Sequence, residues 1–237
     1  MYDYTQRVGF SHTDNKRVMT IEAMIDCFQD CSCFQAEKLG IGFDYLESEN
    51  LVWILNYWQI EVKQYPGFYD KIKIATYPYD FKGFFGYRNF FIENETGEKV
   101  VLANSVWTLM NWEKKCPARL TQKLLDTYGK EEKLPMEYSS RKIALPDLAE
   151  CICRREDEVQ IKKHHLDSNQ HVNNGQYIRI ACEYLPTDLT ITKLRTDYRK
   201  QAVLDDMVYP IVYQKDGVYT IALCDREDNP YAVVEVS

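Results

Sequence analysis

The sequence predicts an α+β protein made of two copies of one unit, each an antiparallel sheet with a single long helix. Three observations carry this. Apolar and polar residues alternate with period two along much of the chain, as in strands with one buried face, and 18 Tyr and 10 Phe among 237 residues suit such strands. Only two long stretches switch to helical spacing, and each is preceded by a strand and followed by strands joined through short turns, which favour antiparallel pairing. The loop His12-Thr13-Asp14-Asn15 ahead of the first helix is echoed by His165-Leu166-Asp167-Ser168-Asn169 ahead of the second.

Residues 2–10 alternate, with Tyr2, Tyr4, Val8 and Phe10 on one side and Asp3, Thr5 and Arg7 on the other, so a strand is expected. Residues 11–16 read as a loop. Thr20 is placed to cap a helix with Glu22 in its first turn. Ile21, Met24, Ile25, Phe28, Cys31 and Gln35 follow helical spacing to a stop near Gly40 and Gly42. Strands are expected at 51–62, 70–77, 86–93 and 100–112, separated by Pro66-Gly67, Lys82-Gly83 and Glu95-Thr96-Gly97. Residues 113–150 hold Pro117, Pro135 and Pro146, many charges and one helical pattern at 121–128, and read as a connector. The second copy then predicts a strand at 158–165 and a helix at 174–184 stopped by Pro186. Asn173 and Gln176 there have the spacing of a capping box. Strands are expected at 189–198, 207–213, 218–225 and 231–236. The units are thus 1–112 and 151–237.

Net charge is −7 with a pI near 5.2, which excludes a non-specific nucleic-acid footprint. The first ten residues lack the apolar core of a signal peptide, and no apolar run is long enough to span a bilayer. The eight cysteines are therefore expected as reduced thiols in a cytoplasm. Cys27 and Cys31 could share a helix face, but no second pair at metal-binding spacing accompanies them, so neither metal nor cofactor is expected.

Residues 165–174 concentrate the chemistry. Asp167, Asn169 and His171 are two residues apart, so extended backbone would aim all three at one place. The helix that follows offers N–H groups and a partial positive charge. An acid, an amide, an imidazole and backbone donors suit attack on a carbonyl. A lone Asp or Asn ahead of a helix more often caps it, so the pattern as a whole carries the expectation.

The stretch Asp167-Ser-Asn-Gln-His-Val-Asn-Asn174 resembles the D-x-N-x-H-V-N-N motif of plant and bacterial acyl-acyl carrier protein thioesterases. The likeness extends through Tyr177, the Glu183-Tyr184-Leu185-Pro186 exit and the strand ending Asp197-Tyr198-Arg199-Lys200. It implies a tandem hot-dog fold, two antiparallel sheets each wrapped around a central helix. It also implies hydrolysis of fatty acyl-acyl carrier protein to free fatty acid in fatty acid biosynthesis. A shorter form of the motif occurs in single hot-dog acyl-CoA thioesterases, which keeps that activity as an alternative. Plant members carry a Glu-Cys pair where this chain has Gln201 and Ala202, so no thiol nucleophile is available there and Gln201 can at most orient water. That departure also keeps open a non-catalytic acyl-thioester-binding protein.

On this resemblance Asp167 is the general base or water holder, Asn169 orients water or the carbonyl, and His171 assists the oxyanion or leaving thiolate. The opposite split makes His171 the base and Asp167 its orienter. Backbone donors near Asn173, Asn174 and Gly175 would complete an oxyanion hole. The first unit would hold the acyl chain against Met24, Ile25, Phe28, Trp53, Leu55, Tyr57 and Trp58, residues that equally suit plain core. Lys162, Lys163, Lys193, Arg195, Arg199 and Lys200 would form a local basic patch on this acidic chain for docking the carrier protein. A homodimer is an open expectation.

Overall fold

Alternation after Met1 produces β1 (Tyr2–Arg7), with Tyr2, Tyr4 and Gln6 half-buried and Asp3, Thr5 and Arg7 exposed. The structure is a computed structural model describing residues 1–167 and 169–237. The chain separates into two units: Met1–Asn56 with Ile60–Tyr138, and Tyr57–Gln59 with Ser139–Ser237.

In the first unit Thr20 caps α1 (Ile21–Lys38) by accepting the Ala23 N–H. The predicted stripe is buried, with Met24, Ile25, Phe28 and Cys31 fully enclosed, and α1 packs on β1 and β3. A six-residue helix, α2 (Phe43–Ser48), was not anticipated; it buries no residue, so it leaves no apolar stripe in the sequence. Then come β2 (Leu51–Val62), β3 (Lys71–Lys82), β4 (Phe85–Glu93), β5 (Lys99–Asn111) and the two-residue β6 (Cys116–Pro117). Their order is β1-β3-β4-β5-β2, and the β1–β3, β3–β4 and β4–β5 pairings are antiparallel. β3 outruns the expected 70–77 because its register shifts between Pro78 and Asp80; such an irregularity accepts a proline that has no N–H for the ladder.

The 113–150 segment is shared. Leu124 of α3 (Gln122–Tyr128) is buried with Ile41 and Leu109, and Leu134 packs on Ala75, Tyr77, Phe91 and Leu102. The division into units falls inside it, at Tyr138–Ser139. Ile143 belongs to the second core, with Ile211, Tyr213, Ala222 and Val233.

The second unit contains β7 (Ile152–Arg155), β8 (Val159–Gln160), α4 (Asn174–Cys182), β9 (Lys193–Tyr198), β10 (Met207–Lys215), β11 (Val218–Cys224) and β12 (Pro230–Val236). The order is β9-β12-β11-β10-β7, with β8 also on β10, every pair antiparallel. α4 packs on β11 and β12. β7 is exposed at all four residues and so shows no alternation to read. The strand expected at 158–165 is a correction: only Val159–Gln160 pairs, because Lys163–His165 turns into a 3-10 helix. Among the described residues no helix is long and apolar enough to cross a membrane.

Candidate active site

The motif is a tight turn, and the extended backbone expected for it is absent. Leu166 bridges Val172, the Asp167 N–H donates to the His171 carbonyl at 2.8 Å, and Gln170 takes a left-handed φ of 62° at the bend. Asp167, Asn169 and His171 are therefore brought together around a turn. Ser168, inside the motif, lies outside the described residues. One oxygen of Asp167, Oδ1, accepts the N–H of Asn169 at 2.8 Å and of His171 at 3.3 Å, as an Asx turn does. Oδ2 bonds none of the described residues, nor do the exposed Asn169 carboxamide and the half-buried His171 imidazole. The carboxylate staples the loop with one oxygen; its other oxygen, like the side chains of Asn169 and His171 in the same turn, bonds none of the described residues.

The first unit repeats this geometry at a constant offset. Thr13 bridges Met19, the Asp14 N–H donates to Val18, and Arg17 takes a φ of 60°. Asp14 Oδ1 accepts the N–H of Lys16 at 2.9 Å and of Val18 at 3.1 Å. His12 Nδ1 accepts the Gly9 N–H as His165 Nδ1 accepts that of Lys162, and each His carbonyl accepts the N–H of the helix cap, Thr20 or Asn173. His12, Asp14 and His165 thus belong to a structural loop common to both copies. Among its sequence differences the second copy has Asn169 in place of Lys16 and His171 in place of Val18. Burial, then the charge of His164, whose ring lies tilted against it, holds His165 below the ordinary imidazole range, in keeping with its acceptor role.

The helix start offers less than expected. Asn173 caps α4, but its Oδ1 takes the Gly175 N–H at 2.8 Å, and its own N–H is bonded to His165. The expected capping box with Gln176 is not formed, since the N-cap N–H it would satisfy is already used. The Gln176 N–H goes to the Asn173 carbonyl, so among the described residues only Asn174 keeps an uncommitted N–H across 173–176. A donor at Gly175 is excluded in this arrangement.

Two tyrosines brace the loop. Tyr198 donates to the Asn174 carbonyl at 2.9 Å, and the Tyr177 hydroxyl accepts the Ala202 N–H at 2.8 Å. Burial raises the Tyr177 phenol to about 12, so it stays protonated. The Ala202 carbonyl in turn accepts the Val172 N–H at 3.0 Å. Ala202 is fully buried, so a cysteine there would point into packed interior, whereas Gln201 is exposed. A phenol on the buried side of the helix after the motif was the sequence sign of this brace, visible at Tyr177 but uninterpretable without its partner.

The expected acyl wall is packed core. Met24, Ile25, Phe28, Leu55, Tyr57 and Trp58 are buried and Trp53 is half-buried, but Tyr57 and Trp58 group with the second unit, and strand alternation turns Trp58 away from Trp53, Leu55 and Tyr57. An open groove of about 590 Å³ in the first unit is lined by other residues, among them Tyr77, Phe91, Lys99 and Leu134. The basic patch also changes. Arg195 is half-buried and ion-paired with Glu235 at 3.2 Å, Arg199 with Asp197 at 2.8 Å and Lys200 with Asp225 at 2.9 Å. Arg199 and Lys200 lie beyond β9, and Lys162 and Lys163 belong to the 3-10 turn rather than a strand. Lys162, Lys163 and Lys193 remain exposed.

Antiparallel sheets built around a helix in each half make this a hot-dog protein of the duplicated type. Residues 1–128 match the acyl-ACP thioesterase N-terminal domain and residues 153–229 its C-terminal domain, so the chain belongs to the acyl-ACP thioesterase family. It is 28% identical over 210 residues to oleoyl-acyl carrier protein thioesterase 2, chloroplastic, of Arabidopsis thaliana, covering 81% of this chain and 57% of that one. It is 28% identical over 218 residues to palmitoyl-acyl carrier protein thioesterase, chloroplastic, of Gossypium hirsutum, covering 84% and 51%. The chain therefore spans little more than half the length of these curated relatives. A crystal structure of an acyl-ACP thioesterase from Bacteroides thetaiotaomicron superposes with a TM-score of 0.89 at 22% identity, covering 99% of this chain and 96% of that one. The 12:0-ACP thioesterase from Umbellularia californica gives 0.86 at 17%, covering 100% and 96%. These two likenesses show the fold.

Proposed function

We propose that this chain hydrolyses the thioester between a fatty acyl chain and acyl carrier protein, releasing free fatty acid for lipid metabolism. The observation that carries the proposal is the 167–174 turn, where Asp167 Oδ2, the His171 imidazole and the Asn169 carboxamide stand without partners among the described residues. The same turn in the other copy lacks the last two.

In this mechanism Asp167 Oδ2 takes the proton from a water that Asn169 orients toward the thioester carbon. The Asn174 N–H, at the positive end of α4, helps hold the oxyanion, and His171 protonates the departing thiolate. The alternative split, with His171 as base, leaves the partners unchanged. Gln201, exposed beside the loop, steadies the water.

The first unit, residues 1–112 in the sequence partition, takes the acyl chain by parting the side chains around Phe28, Trp53 and Leu55, and residues 113–150 connect it to the catalytic unit. The carrier protein docks on the exposed Lys162, Lys163 and Lys193. The eight thiols, none in a disulfide, fit a reducing cytoplasm, and a homodimer is the proposed assembly. Release of thiol from an acyl carrier substrate tests the proposal. Tight binding of the substrate without release would replace it with an acyl-binding role, and equal rates on acyl-CoA would remove the carrier preference.

A further inference from the structure

Arg88 of β4 is a charge with no counterion among the described residues. It is 8% exposed, and its Nη1 donates to Thr76 Oγ1 at 3.1 Å and to Gln35 Oε1 on α1. Both acceptors are neutral. Its remaining edge, Nε and Nη2, bonds nothing among the described residues, and no carboxylate pairs with it. Its titratable neighbours are Tyr128, Cys31 and Cys33; burial raises all three, so they are neutral near pH 7. Burial disfavours the charged form of Arg88 as well, although guanidinium stays protonated. A buried charge with no counterion is costly, and the unbonded Nε and Nη2 are not fully enclosed, so a ligand can reach them.

A second donor belongs to a residue that packs on the same Tyr128 ring. Trp53 Nε1 is buried and makes no well-formed hydrogen bond, with the Tyr128 hydroxyl near enough to feel it. Trp53 lies against Gly86, where an added Cβ would come within 3.1 Å of the indole, and Gly86 is on the same face of β4 as Arg88. The Tyr128 ring sits 5.5 Å from Arg88 Cζ and 6.4 Å from the Trp53 ring, and Phe90 sits 6.0 Å from Cζ and 5.2 Å from Phe28. Among the described residues the site has an unbonded guanidinium edge and no carboxylate on it, and it is walled by aromatic rings. The free Nε–Nη2 edge is the one that receives a carboxylate through two parallel bonds.

We infer that the interior of the first unit binds the carboxylate of an aliphatic acid, held by Arg88 and Trp53 Nε1 with Gln35 and Thr76 fixing the guanidinium. The binding inference does not rest on the hydrolase proposal, since binding is measured without turnover; only the choice between its two carboxylate sources does. The carboxylate has two sources, the head of a free fatty acid or the far end of an acyl chain with a terminal carboxyl group.

The test uses the full chain and calorimetric titration with dodecanoate and dodecan-1-ol. The wild type should bind the anion at least about tenfold more tightly, and Arg88→Met should bring the ratio to about one while alcohol binding persists. An undiminished ratio in Arg88→Met, or none in the wild type, overturns the inference. Should Arg88→Met fail to fold, Trp fluorescence decides: a dodecanoate-induced change that disappears in Trp53→Phe supports the site, and one that survives overturns it. Faster turnover of a dodecanedioyl thioester than of a dodecanoyl thioester, lost in Arg88→Lys, assigns the far-end source. Equal turnover with retained dodecanoate binding assigns the free acid.

Discussion

Asp14 and Asp167 make the same two backbone bonds in the two copies of one turn, so replacing each separates scaffold from chemistry. Bonds to a charged group contribute about 1.5–3 kcal/mol each, and exposure together with lengths up to 3.3 Å brings these down to about 1 kcal/mol each. Asp14→Ala and Asp167→Ala should therefore each lose about 2 kcal/mol of stability. Activity should divide them. Asp14→Ala should keep turnover within about threefold, and Asp167→Ala should lose at least the roughly hundredfold low end of general-base catalysis. Asp167→Asn retains an Oδ1 for both N–H groups, so it should cost less than about 1 kcal/mol in stability and still lose the rate. Urea unfolding and thiol release on the same preparations measure both. Full activity in Asp167→Asn, or an equal rate loss in Asp14→Ala, would refute the division of the carboxylate into a stapling and a reacting oxygen.

The imidazole of His171 bonds no described residue, so His171→Ala should lower kcat about a hundredfold or more with unfolding unchanged within about 0.5 kcal/mol. Tyr177→Phe leaves the Ala202 N–H without an acceptor and should cost about 1–3 kcal/mol in urea unfolding, with a smaller rate loss through the displaced loop. The folded-state pKa of His165 is depressed, so its contribution is complete above the unfolded value near 6.5 and is lost as pH falls from there through the folded value. Stability measured across that window should fall toward acid, and His165→Gln should flatten that part of the curve. Lys162→Glu with Lys163→Glu should raise KM for acyl carrier protein substrates and leave a small neutral thioester unaffected. Arg195→Glu, which sets Glu235 against a like charge, should destabilise the fold.

Long periodic elements were legible because their patterns come from burial. The stripe of α1 and the Thr20 cap appear as written, and β2 spans the expected 51–62. α2 and β7 were invisible because they bury nothing and carry no period. The candidate site was legible as a cluster of polar residues on one loop but not as a shape: alternate spacing suggested a strand, while Gln170 at positive φ and the Asp167 staple make a turn. Which donors of α4 stay open depends on His165 and Asn173 being spent on each other and on Gly175, a pairing that spacing does not encode. Arg88 was passed over because an arginine in an alternating strand reads as solvent-facing until Gln35, Thr76 and Tyr128 close around it.

The central claim is that this chain cleaves acyl carrier thioesters through the 167–174 turn. Thiol release from dodecanoyl-acyl carrier protein, set against dodecanoyl-CoA and repeated with His171→Ala, tests it most directly. The account predicts faster release from the carrier protein and an approximately hundredfold loss in the variant. No release from either substrate, or release undiminished in His171→Ala, would contradict it.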